Sequence, residues 1–172
     1  MHKAISLFSL LILVACSNGL EPYGATFSGL MKNENGLFRG LQPGDSKEFV
    51  RRSESIEPMF NEPKMLAYEI PLADDGHMVV NYVFENDTLY EINMELYVEK
   101  METALKVIHN FKKYYDGKLG AHANEAGFYV WKIKHSERNT IMTIEMTDEN
   151  EFESMGNWSF IIYDYSIPFA KP

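Results

Sequence analysis

Tyr90-Glu91-Ile92-Asn93-Met94-Glu95-Leu96 alternates large apolar and polar residues without a break. A period of two puts Tyr90, Ile92, Met94 and Leu96 on one face and Glu91, Asn93 and Glu95 on the other. Such a segment is a strand with one face on a core and one in water, as antiparallel sheets allow. The residues upstream repeat the pattern. Met78, Val80, Tyr82 and Phe84 share one face of a run that ends at the tight turn Glu85-Asn86-Asp87. Leu66, Tyr68, Ile70 and Leu72 share a face of the run before it, and Asp74-Asp75-Gly76 between the two is a hairpin signal.

Ahead of these strands, Pro43-Gly44-Asp45 marks a turn. Asp45 is placed to cap a short helix, with Glu48 as its capping-box partner. That helix runs through Phe49 and Val50 to about Ser55, and Pro58 and Pro63 prevent its continuation. Downstream, Met101, Ala104, Leu105, Ile108, Phe111 and Tyr115 recur at helical spacing, with Gly117 as the expected end. A loop over 121–127 leads to strands at 128–135, at 140–147 with Met142, Ile144 and Met146 inward, and at 158–165. The fold class read from this order is α+β. Two α-β-β-β halves form one antiparallel sheet of about six strands, with the helices on one face because each half alone leaves its apolar face bare.

The start of the chain has a different character. Met1-His2-Lys3 is basic, and Ala4 to Ala15 is apolar apart from Ser6 and Ser9. That run is too short to span a bilayer, which takes about 20 residues, but it fits a secretory signal peptide. The run closes on Leu13-Val14-Ala15-Cys16, and Cys16 is the only cysteine. The tetrapeptide resembles the lipobox of bacterial lipoproteins. The resemblance implies cleavage before Cys16, a diacylglycerol thioether on its sulfur and palmitate-type acyl chains as membrane anchor. Ser17, where an aspartate would signal inner-membrane retention in the proteobacterial type, implies the outer membrane; the inner or plasma membrane is the alternative. The expected division is a signal peptide at 1–15, a lipidated N-terminus and Gly- and Asn-punctuated tether at 16–36, and a single globular α+β domain at 37–172. Phe27, Leu30 and Met31 are the tether residues able to dock on that domain and shorten it.

Of the 16 Lys and Arg only Lys3 precedes Cys16, so the mature chain has 15 against 25 acidic residues, a balance of −10. A charge of that sign disfavours nucleic acid. The same charge is expected to make the domain stand off an anionic lipid surface rather than lie on it. With Cys16 committed to lipid no disulfide is available, so stability rests on packing, for which 11 Phe, 10 Tyr and 2 Trp supply the large side chains.

No catalytic constellation is legible. His77, His109, His122 and His135 stand in no HExxH or other ligand pairing. His122 with Glu125 and His109 is the nearest approach to a metal site, and the expectation is that no metal or cofactor is bound. Asp148-Glu149-Asn150-Glu151-Phe152-Glu153 lacks the alternation and central glycine of a calcium loop. No serine lies in a G-x-S-x-G elbow, and Gly117-Lys118-Leu119-Gly120 lacks phosphate-loop spacing.

The sheet face turned away from the helices is the candidate binding surface, with Val79, Val83, Phe128 and Val130 as its apolar centre if the two halves bring them together. Glu91, Glu95, Lys132 and Lys134 would form its rim. The stretch Gly40-Leu41-Gln42-Pro43-Gly44-Asp45-Ser46-Lys47-Glu48-Phe49-Val50 is similar to the helix start of the small lipoproteins of the outer-membrane barrel-assembly machine, to which the tandem domains of β-lactamase-inhibitor proteins are related. The paired helices those families place before the sheet are not legible here. The resemblance implies binding rather than catalysis. The expectation is therefore a membrane-anchored envelope or periplasmic lipoprotein, not an enzyme, whose domain binds another envelope protein. The alternatives are a small-ligand binder with a pocket near Tyr82, Trp131 and Tyr115, or a hydrolase or metalloenzyme built on His122, His109 or His135.

Overall fold

A computed structural model describes residues 19–72, 76–135, 140–148 and 156–167. The expected signal peptide at 1–15, Cys16 and the acidic run 149–153 lie outside the described residues. The chain opens with a 3-10 turn, Glu21–Tyr23, followed by α1 (Ala25–Met31) and α2 (Lys47–Ser53). The strands β1 (Phe60–Glu62), β2 (Met65–Pro71), β3 (Gly76–Glu85) and β4 (Thr88–Val98) come next. The long helix α3 (Met101–Leu119) precedes β5 (Ala123–Glu125), β6 (Phe128–His135), β7 (Thr140–Asp148) and β8 (Gly156–Tyr163).

All strands pair antiparallel in one sheet of order β1-β2-β3-β4-β8-β7-β6-β5. The fold is thus α+β, but the sheet has eight strands rather than about six. The additions are β1 and β5, three residues each, at the two edges. Three residues are too few to show a period of two, so neither is legible in the sequence. Ending a sheet in such short strands limits edge-to-edge pairing with other chains. The order mirrors itself about the β4–β8 seam, where Glu91↔Tyr163 through Val98↔Gly156 are in register.

The core lies between the helices and the sheet face lined by Leu66, Tyr68, Val80, Tyr82, Ile92, Met94, Ile144 and Phe160, all at most 1% exposed. Phe111, Tyr115 and Phe160 stack at its centre, with centroids 5.4–6.2 Å apart. The inward stripe of α3 is Ala104, Val107, Ile108, Phe111, Tyr114 and Tyr115. Leu105, expected on that stripe, is 53% exposed. The helix runs past Gly117 and ends at Gly120, whose φ of 94° a β-carbon disfavours.

Four further expectations change. A register shift at Val83/Phe84 makes Leu89, not Tyr90, the inward residue at the start of β4. Such a bulge turns one extra residue outward. The N-cap of α2 is Ser46, whose Oγ accepts from the Phe49 amide (3.2 Å), while Asp45 instead accepts from the Gln42 amide (2.8 Å). Two helices do precede β1, since α1 is buried through Phe27, Leu30 and Met31. The stretch from Gly19 to Gly36 belongs to the domain as packed structure rather than tether, and Leu20 is wholly buried.

Candidate functional site

The outward face of the sheet is built by alternation. In β8, Trp158, Phe160 and Ile162 are buried, so Ser159, Ile161 and Tyr163 point the other way. Register places Tyr163 between Glu91 of β4 and Thr143 of β7, and Ile161 between Asn93 and Glu145. The chain turns after Tyr163, with Asp164 accepting from the Ser166 hydroxyl (2.5 Å) and amide (3.1 Å). The turn lays Tyr165 over Tyr163, centroids 4.3 Å apart and planes 20° off parallel. Tyr90, released outward by the bulge, lies against Tyr165 at 6.2 Å.

Each central glutamate of this face accepts a tyrosine hydroxyl. Tyr163 Oη donates to Glu145 (2.7 Å), Tyr165 Oη donates to Glu91 (3.2 Å), and Tyr97 Oη donates to Glu95. Tyr97 is itself stacked on His77 at 4.9 Å. Burial pushes the Glu91 carboxyl above its usual range, only partly offset by the Tyr165 hydrogen bond. Burial, then the charge of Glu91, pushes the Tyr165 phenol up to about 12. These side chains are oriented and partly desolvated before anything binds. A carboxylate accepting one hydroxyl keeps acceptor capacity for a second donor.

The four residues expected to form an apolar centre all face outward but are not brought together. Val79 and Val83 are on β3 and Phe128 and Val130 on β6, with β4, β8 and β7 between them. Four interstrand steps separate the pairs by about 19 Å. The centre of the face is instead the tyrosine–glutamate group on β4, β7 and β8. Continuing the alternation through β8 was the signal that would have found Ile161 and Tyr163; the return of Tyr165 over them has no local signal. Of the expected rim, Lys132 pairs with Glu125 (2.8 Å) toward the β5 edge.

Among the described side chains, His77, His109 and His122 do not gather. His109 is exposed on α3, and His135 ends β6. His122 turns not to Glu125 but to Asp116, with Nδ1 2.9 Å from Oδ1. Asp116 also accepts the His122 amide (3.0 Å) and Trp131 Nε1 (3.1 Å). Desolvation opposes ionisation of Asp116, but the His122 and Trp131 hydrogen bonds outweigh it and hold its carboxyl below the usual range. This knot ties the C-terminal end of α3 to β6. Among the described residues no three His, Cys, Asp or Glu are grouped to hold a metal ion.

The space near Tyr82, Trp131 and Tyr115 is filled, since each side chain is at most 2% exposed. A cleft of about 320 Å³ lies elsewhere, lined by Tyr23, Phe27, Lys106 and Asn110 between the N-terminal turn and α3. That volume is at the small end for ligand sites. In comparisons with known proteins, no family model, curated protein or solved structure matches this chain.

Proposed function

We propose that the protein is a lipid-anchored envelope protein, held by Cys16, whose domain binds another envelope protein through the outward face of the sheet and is not catalytic. The observation that carries the reading is the set of three glutamates, Glu91, Glu95 and Glu145, each oriented by a tyrosine hydroxyl. Tyrosine gives large contact area at low entropic cost and is enriched at protein interfaces. Carboxylates with free acceptor positions suit guanidinium donors, which bind them through two hydrogen bonds. The partner is then a protein surface carrying arginine or lysine beside apolar side chains. The lipobox resemblance and the filled space between sheet and helices favour this over a small-ligand binder.

The test is photocrosslinking in living cells from an unnatural residue placed at Ile161. A discrete protein adduct is expected, and Glu91→Lys with Glu145→Lys should lose it while the protein stays folded and membrane-bound. An adduct indifferent to both reversals would overturn the proposed face. No protein adduct from 161 would do the same.

A further inference from the structure

The charge of the chain is unevenly distributed. Residues 19–54 and 101–119, which form the helical side, carry nine Lys and Arg against seven Asp and Glu. The rest of the mature chain carries six against 18. The overall −10 therefore comes from outside these two segments. On the outer side of α3, Lys106, His109 and Lys113 are exposed along one face, with Glu102 the acidic residue among them. Lys112 lies beside them with its Nζ 3.8 Å over the Tyr129 ring. Leu105, 53% exposed, flanks this group, one turn from Glu102 and from His109. Basic residues beside an exposed leucine offer a bilayer surface both headgroup attraction and an apolar contact, the two contributions that hold a helix at the interface.

The start of the domain lies on the same side. Asn110 Nδ2 donates to the Tyr23 carbonyl (2.6 Å), Tyr23 packs on Tyr114 (5.6 Å), and Lys113 Nζ lies 5.7 Å over the Tyr23 ring. Leu20, just before this turn, is wholly buried, and its carbonyl accepts from Ser28 Oγ (3.0 Å). Only Ser17, Asn18 and Gly19 separate it from Cys16. An extended chain covers at most about 3.6 Å per residue, so Leu20 lies within about 14 Å of Cys16. The headgroup layer takes up roughly half of that reach. A domain held so closely has no room to stand clear of the membrane.

We infer that the outer face of α3 is a membrane-contact surface, with Lys106 and Lys113 on anionic phospholipid headgroups and Leu105 in the interface. The tyrosine–glutamate face, on the opposite side of the sheet, is thereby held pointing away from the bilayer. This rests on the reading of Cys16 as the lipid anchor. It reverses the expectation, drawn from net charge alone, that the domain stands off an anionic surface.

The test uses the mature lipidated protein reconstituted in phosphatidylethanolamine–phosphatidylglycerol vesicles, with a photoreactive residue at 105 or, on the opposite face, at 141. Ile141 is 59% exposed, so both positions are accessible. Lipid adducts are expected from 105 and not from 141. Each near-surface lysine contributes roughly a fivefold gain in affinity for an anionic leaflet, so Lys106→Glu with Lys113→Glu should cut the adducts from 105 at least about fivefold. Lys106→Arg with Lys113→Arg should keep them, which separates charge from misfolding. The mass of the Cys16 peptide is read in the same sample. Acylated protein giving no adducts from 105, or equal adducts from both faces, overturns the contact surface alone. An unacylated Cys16 overturns the anchor and the contact surface with it.

Discussion

Arg39 and Glu54 are 6% and 5% exposed and form a two-pronged ion pair, both hydrogen bonds 2.7 Å long. Arg39 also donates to the Gly29 (3.1 Å) and Leu30 (2.8 Å) carbonyls at the end of α1, and Tyr82 Oη of β3 donates to Glu54 (2.5 Å). Lys32 approaches the same carboxylate at 3.5 Å. One buried carboxylate thus pins α1, the end of α2 and the sheet together. Desolvation alone would raise the Glu54 carboxyl, but the hydrogen bonds and charge of Arg39, with Tyr82 and Lys32, outweigh it and hold it below its usual range. Removing one partner of such a pair leaves a buried charge, so Glu54→Gln should cost about 3–5 kcal/mol in urea unfolding. With a folded-state value below the unfolded one, Glu54 contributes stability above the ordinary glutamate value of 4.5 and loses it as pH falls through that value toward the folded one. Unfolding curves across that acid range should therefore show a shallower loss of stability in Glu54→Gln than in the parent. None of this was legible in the sequence, because charges far apart in the chain pair only once the fold brings them together. The tyrosine–glutamate face was half legible for a similar reason: alternation gives Glu91 and Glu95 outward, but only register sets Tyr163 beside Glu91.

Among the elements, legibility followed length, except that the seven-residue α2 was read from its turn, cap and flanking prolines rather than from a period. β3, β4 and α3, with 10, 11 and 19 residues, are long enough for a period to show. β1, β5 and α1, with three, three and seven, are not. α1 was further obscured by the glycines and asparagines around it, which mark its flanking turns (Gly24 at φ 85°, Gly36 at φ 65°) and not a loose leash. In α3 the helix was found but its inward stripe was misplaced, because Leu105 is apolar and yet faces out. The start of α2 turned on one residue. Asp45 and Ser46 are both good N-caps by type, and the turn claims Asp45 through Gln42. Ser46→Ala should lower stability by about 1 kcal/mol in urea unfolding, and Asp45→Ala should leave the helix cap intact.

At the scale of the molecule, the halves meet at the β4–β8 seam and share one aromatic core. They leave a basic helical side and an acidic, tyrosine-lined sheet side. Without an anchor that polarity has no reference direction. Under the proposed anchoring of Cys16, one side would be turned toward lipid and the other toward a partner. Two or three acyl chains hold firmly where a single chain binds marginally. No helix among the described residues is long and apolar enough to cross a membrane, so in this account membrane attachment depends on Cys16. The decisive measurement is metabolic labelling with radioactive palmitate, followed by separation of membranes from the soluble fraction, in cells making either the parent chain or Cys16→Ser. The account predicts label and membrane attachment in the parent and loss of both in the variant. An unlabelled parent, or a variant that remains with the membranes as before, would contradict it.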